Sequence, residues 1–226
     1  MIVRVERLLG TEQLAVLRQC MTRATWIDGR GTAGHQSAQV KANLQLPQSD
    51  PAAREAAEIV VRSLENNSLF VSATLPQRVF PPLFNRYDAG MTFGVHVDNA
   101  VRPLPGSHRR LRSDVSATLF LGAPTDYDGG ELVVQDTYGA HAIKLGAGDL
   151  VVYPSGSLHH VEPVTRGTRY AAIFWVQSMV RDDGARTLLF ELDVAIRDLT
   201  QQGAHSGSLL RLTSCYHNLL RRWAEM

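Results

Sequence analysis

Residues 148–178 read GDLVVYPSGSLHHVEPVTRGTRYAAIFWVQS. Three β-forming runs lie in this stretch, 149–153, 158–164 and 169–178, separated by Pro/Ser/Gly and Thr/Arg/Gly clusters that punctuate strands. No helical period intervenes, so successive strands must fold back on one another. That favours a sandwich or jelly roll over βαβ units. Upstream the same texture reaches back to about residue 69, with β-rich runs at 78–86, 93–97, 115–122, 130–135 and 140–145. Asp128-Gly129-Gly130 and Tyr138-Gly139 read as turns.

The flanks are helical. Residues 11–24 place Leu14, Leu17, Cys20 and Met21 on one side, with Thr11 as the expected N-cap. Residues 51–66 open on Asp50-Pro51, a good N-cap and first-turn pair, and bury Ala56, Ile59, Val60 and Leu64. After the β region, stripes at 188–199 and 209–223 predict two more amphipathic helices. The fold class is therefore α+β: N-terminal helices, a β core, and a C-terminal helical extension. The expected organisation is a main domain over 1–180 and an extension over 181–226. The extension's apolar stripes predict packing on the core and a homodimer through Leu212, Leu219 and Trp223.

The 226 residues carry a formal charge of +1, which gives no general attraction to nucleic acid or an anionic membrane. The charged N-terminus is no signal peptide, and no apolar run approaches the ~18 residues of a membrane span. Cys20 and Cys215 match no zinc or redox spacing, and two reduced thiols in a cytoplasmic protein are expected.

His96-Val97-Asp98 puts an imidazole and a carboxylate two residues apart, on one face of a strand. With a second histidine this becomes the two-histidine, one-carboxylate set that holds ferrous iron and leaves coordination positions open. The second histidine is His159 or His160. His159 shares its strand face with Val161 and Pro163, His160 with Glu162, so parity turns His159 inward. Arg169 follows ten residues later in a strongly β-forming run, where an inward guanidinium requires an anion. Alone, each of these residues is more often ordinary surface or core chemistry. Their combination points to an oxygenase using iron and a keto acid.

HVDN at 96–99, YDGGEL at 127–132, GDLVVYPSGSLHHVEPVTRGTR at 148–169, FWVQSMVRDD at 174–183 and TAGHQSAQVKANLQLP at 32–47 resemble the PiuC-like PKHD-type hydroxylases, relatives of the prolyl 4-hydroxylases. The resemblance covers nearly the whole chain. It implies a double-stranded β-helix with His96, Asp98 and His159 on Fe(II) and Arg169 on the far carboxylate of 2-oxoglutarate. It also implies O2 as co-reactant, ascorbate as reductant, and a protein or small-molecule substrate linked to iron uptake. Tyr87 resembles a tyrosine lining the cosubstrate pocket of such hydroxylases, and Thr118, on the strand 115–121, is a further candidate. His160 departs from the family pattern, which more often has arginine there.

Arg102, His108, Arg109, Arg110 and Arg112 form a basic loop beside the metal motif; such a run is usually a solvated charged face, but its position makes it a candidate lid contacting an acidic or carboxylate-bearing substrate. Gly29 to Gly34 fits GxGxxG, but without a strand before it and a helix after it reads as a flexible loop. Rival readings are a cupin-like metal enzyme that needs no 2-oxoglutarate, and a non-catalytic iron or keto-acid sensor; Arg169 argues against the first.

Overall fold

The parity of a few long strands decides which side chains meet between the sheets. In the computed structural model, which describes all residues from Met1 to Met226, every strand pairing is antiparallel. The major sheet runs Val3–Val5, Leu150–Pro154, Val115–Phe120, Val164–Ser178, Leu83–Asp88, Leu44–Gln45, Ile27–Asp28. The minor sheet runs Gly139–Ile143, Leu132–Asp136, His159–Val161, Thr92–His96, Lys41–Ala42. The result is a jelly-roll core.

Both faces of the major sheet are buried, and side chains alternate between them. One set, including Ala117, Leu119, Leu150, Val152, Ala172 and Phe174, packs under two N-terminal helices, α1 (Thr11–Arg23) and α3 (Pro51–Glu65). The other set, with Tyr87, Phe120, Val151 and Tyr153, meets Phe93, Leu132, Val134 and Val161 of the minor sheet. Ser116, Thr118 and Arg169 belong to this inward set by the same alternation.

The helix ends follow from local chemistry. Asp50 caps α3 by accepting from the Ala52 amide at 2.8 Å. At α1 the cap is Gly10 and not Thr11, which is already helical; the Gln13 side chain accepts from the Gly10 amide at 2.8 Å. Several elements differ from expectation. The Gly29 to Gly34 segment has regular structure on both sides: a two-residue strand, Ile27–Asp28, leads into a tight turn at Gly29–Thr32, and a short helix, α2 (His35–Gln39), follows. A further helix, α4 (Ser68–Thr74), occupies the start of the presumed β region, whose first strand is Pro76–Val79. The run 78–86 splits into Pro76–Val79 and Leu83–Asp88, and residues 158–164 divide between His159–Val161 and the 15-residue strand Val164–Ser178.

The tail forms a hairpin of α5 (Asp183–Gln201) and α6 (Ser206–Trp223). Tyr216, Leu219, Leu220 and Trp223 pack on Leu75, Val180, Ala185 and Leu189, so much of the apolar stripe covers the protein's own core. Leu212 is also half-buried. Leu188 and Leu210 stay exposed. The Met1 ammonium pairs with Asp183 at 3.1 Å, tying the start of the chain to the tail.

The Tyr127–Gly129 strand crosses the long strand closely at Gly167. Gly167 has φ +74°, and a Cβ there would lie 2.0 Å from the Asp126 carbonyl oxygen. Gly167→Ala must therefore strain the backbone and push two strands apart, costing at least about 1–3 kcal/mol. Thermal unfolding of this variant should show a melting temperature several degrees lower; an unchanged value would mean the crossing relaxes freely.

Candidate active site

The minor-sheet ladder sets His159 directly opposite His96. Asp98 lies two residues past the end of the His96 strand, in an irregular segment and not in the strand itself. The candidate ligand atoms of His96, Asp98 and His159 all lie within 4.8 Å of one another. Asp98 Oδ2 is 3.5 Å from His159 Nε2.

Each imidazole is oriented by a backbone carbonyl. His96 Nδ1 donates to Gly94 O at 2.8 Å and His159 Nδ1 donates to Ser157 O at 3.0 Å. With Nδ1 committed as donor, the neutral ring carries its lone pair on Nε2, the tautomer a metal requires. Burial, and next the neighbouring His159, push His96 down to about 4, so it is neutral near pH 7. The Phe93 ring stacks on His96 at 3.7 Å between centroids and holds its plane. Asp98 accepts from Ser116 Oγ at 2.6 Å, and Ser116 is in turn 2.8 Å from Ser155 Oγ.

His160 points elsewhere. It pairs opposite Val133, and its Nε2 lies 3.0 Å from Glu162 Oε1. It does not reach the cluster around Asp98.

Arg169 projects from the long strand, opposite Tyr87, and is 1% exposed. Its guanidinium carbon lies 5.3 Å from the Tyr87 ring centroid and 5.4 Å from that of Phe120. No carboxylate pairs with it, and its Nε and Nη2 have no hydrogen-bond partner. An uncompensated buried charge costs on the order of 3–5 kcal/mol, so this position is built for an anion. Gly130 makes room: a Cβ there would come within 3.0 Å of Arg169 Cδ.

His96, Asp98, His159, Arg169, Tyr87 and Thr118 all line one cavity. Tyr87 and Thr118 are each 2% exposed. Burial pushes the Tyr87 hydroxyl up, so it stays protonated. Among the lining residues that sequence reasoning missed are Ser116, Tyr153, Lys41 and Trp175. Ser116 was accessible in principle, since it shares strand parity with Thr118. Burial and the nearby Asp98 charge keep Tyr153 a phenol.

The basic segment 102–112 is a two-stranded hairpin, Val101–Pro103 with Arg110–Arg112. Arg102 turns into the cavity. Arg112 is engaged by Asp114 at 2.7 Å and Glu225 at 2.9 Å, while His108, Arg109 and Arg110 face solvent.

Comparison with known proteins agrees with this geometry. The 2OG-Fe(II) oxygenase superfamily pattern matches residues 82–177, and the PKHD-type hydroxylase C-terminal domain matches 183–225. A PKHD-type hydroxylase of Beijerinckia indica is 57% identical over 226 residues, covering 100% of both chains. The chain belongs to the PKHD-type hydroxylases. PiuC of Pseudomonas aeruginosa, another member, is 54% identical, again over 100% of both chains. Among solved structures, a Trichoplax adhaerens prolyl hydroxylase in complex with a hypoxia inducible factor peptide fragment shares the fold. Its TM-score is 0.58 at 14% identity, covering 78% of this chain and 83% of that one. As a member of its family this PKHD-type hydroxylase is an Fe(II)- and 2-oxoglutarate-dependent dioxygenase. No helix is long and apolar enough to cross a membrane.

Removing the Ser116 hydroxyl should loosen Asp98 without deleting a ligand. Ser116→Ala is expected to weaken Fe(II) binding by about 10–100-fold, the usual cost of losing a group that orients a metal ligand. His160→Ala should bind Fe(II) like the unaltered protein. Anaerobic metal titration of the two variants measures both; equal affinity in Ser116→Ala would remove that serine from the site.

Proposed function

We propose that His96, Asp98 and His159 hold the Fe(II) of this hydroxylase and that Arg169 holds the far carboxylate of 2-oxoglutarate. The observation that carries this reading is the buried, unpartnered guanidinium of Arg169 in the same cavity as three convergent metal-ligand atoms. Both cofactors fit the residues present. The donor set is two imidazoles and a carboxylate, suited to ferrous iron, and the orphaned Nε–H and Nη2–H match the two oxygens of a carboxylate.

When bound, Fe(II) with 2-oxoglutarate and O2 supplies the oxidation, releasing succinate and CO2 and leaving one oxygen atom on the substrate. The chain's own residues position and exclude. Arg169 fixes the cosubstrate by charge-assisted bonds, and Tyr87 and Thr118 line its channel on the same inward face. Ser116 keeps Asp98 aimed, and Phe93 keeps the His96 ring in plane. Phe120, Tyr153 and Leu132 exclude water from the inner part of the cavity. In this reading substrate enters over the exposed Val97 and the Thr32–Ser37 segment, and it is a protein side chain or a small molecule. The peptide held by the Trichoplax relative supports the side-chain alternative. Ascorbate serves as the reductant in this reading, and the location is cytoplasmic, consistent with two unpaired cysteines, Cys20 and Cys215. The division at residue 180 is supported by separate family matches on either side of it.

Asp98→Ala and His159→Ala should each abolish activity and sharply weaken Fe(II) binding. Arg169→Ala should keep iron but raise the 2-oxoglutarate requirement by tens to thousands of fold, equivalent to about 2–5 kcal/mol. Arg169→Lys should recover only part, because an ammonium cannot form the paired contact. Succinate release against 2-oxoglutarate concentration reads both arginine variants; an unchanged requirement would exclude this role. A product heavier by about 16 Da, one oxygen atom, in enzyme-treated extracts identifies the substrate.

We also propose a homodimer through the tail, resting on its exposed Leu188 and Leu210 and the half-buried Leu212, Leu219 and Trp223. Sedimentation at micromolar concentration should show twice the chain mass; a monomer would mean that α5 and α6 only cover their own core.

A further inference from the structure

Arg169 is not the cavity's only cation without a carboxylate. Lys41 is 5% exposed, and its Nζ donates only to neutral oxygens: Thr32 Oγ1 at 3.2 Å and Gln45 Oε1 at 3.3 Å. Arg102 is 9% exposed, donates Nη2–H to the Thr32 carbonyl at 3.3 Å, and leaves a buried Nε without a partner. Its guanidinium carbon lies 3.5 Å from the Trp175 ring centroid and is thereby held flat. The two cations converge on one residue, Thr32, at the edge of the metal site; burial, and for Lys41 next the Arg102 charge, holds both below their ordinary range, with Asp98 opposing. Lys41 sits 5.3 Å over the Phe93 ring that stacks on His96.

Charge accounting shows what is missing. Asp98, Arg169, a divalent metal and a dianionic keto acid cancel one another. Lys41 and Arg102 are then left without a counter-charge, and two like charges in one buried cavity repel.

Building on the reading above, we propose that Lys41 and Arg102 form a second anion subsite, which takes a carboxylate of the substrate and so sets the distance from that carboxylate to the carbon that is hydroxylated. The substrate is an acid, whether a small free acid or an acidic side chain in a peptide. Trp175 positions Arg102, Gln45 and Thr32 position Lys41, and neither cation takes part in the oxidation.

The test uses 15N-labelled protein loaded with Zn(II) in place of iron and saturated with 2-oxoglutarate, so that Arg169 is already engaged. Binding of 2-oxoglutarate is verified first from its own resonances. The Arg102 Nε–Hε signal is then followed during titration with N-acetylglycine, a free acid, and with the blocked peptide acetyl-Gly-Asp-Gly-amide. Their neutral counterparts, N-acetylglycinamide and acetyl-Gly-Asn-Gly-amide, serve as controls. A saturable shift with either acid and not with its neutral counterpart is expected, and the stronger of the two identifies the source of the carboxylate. Lys41→Met should weaken the effect at least tenfold and Lys41→Arg should restore it. The proposal fails if neither acid shifts the signal, if the neutral compounds shift it equally, or if Lys41→Met leaves it unchanged. Failure of 2-oxoglutarate to bind, or equal binding in Arg169→Ala, would instead overturn the assignment of Arg169.

Discussion

The site rests on one ladder contact: His159 paired across the minor sheet with His96. Antiparallel register is all-or-none for side-chain direction, since a slip of one residue would send His160 inward and His159 out. Residues around the pair hold that register. Leu132 and Val134 face Val161 and His159 on the neighbouring strand, and the Thr92 hydroxyl donates to the Val161 carbonyl at 2.7 Å. The Asp98 carboxylate then needs only a short irregular segment and the Ser116 hydroxyl to join the two imidazoles.

The second sheet contributes the anion chemistry. Arg169 and Tyr87 are ladder partners there, so the long strand aims its guanidinium at the same interior that the minor sheet lines with histidines. A buried arginine with free donors is a stability defect in a protein with nothing to bind. In the reading proposed above, that defect becomes affinity for the acid it binds. Lys41 and Arg102 extend the same logic toward the mouth of the cavity.

How far this was legible in the sequence depends on pattern length. The jelly-roll core was readable because residues 148–178 carry three strong strand runs, and the tail because its apolar stripes recur over whole helices. The metal residues and Arg169 could be nominated since HxD, a later histidine and an arginine ten residues on form a recognisable spacing, and parity singled out His159. Two-residue strands such as Lys41–Ala42 are too short to show a period, so Lys41 gave no sign of being buried beside the site. Arg102 was visible only as one charge in a basic run; its inward turn depends on Trp175, 73 residues away in the chain. The α4 segment, SLFVSAT, is rich in residues that favour strands, and its helix depends on the Asn67 cap and on packing against the core.

The pairing of Val3–Val5 with Leu150–Pro154 has a consequence for how the protein is made. Val5 must wait for Leu150, about 145 residues later, before its backbone finds a partner. At ribosomal speeds of about 5–20 residues per second, that is a delay of roughly 7–30 seconds. The histidine pair also closes late, and Arg169 emerges later still. An emerging chain therefore presents His96 and Asp98 to the cell well before the rest of the pocket exists. Metal capture is a late event in this architecture, and the nascent N-terminal strand is an unpaired edge that must be kept from the wrong neighbour until the last third of the chain arrives.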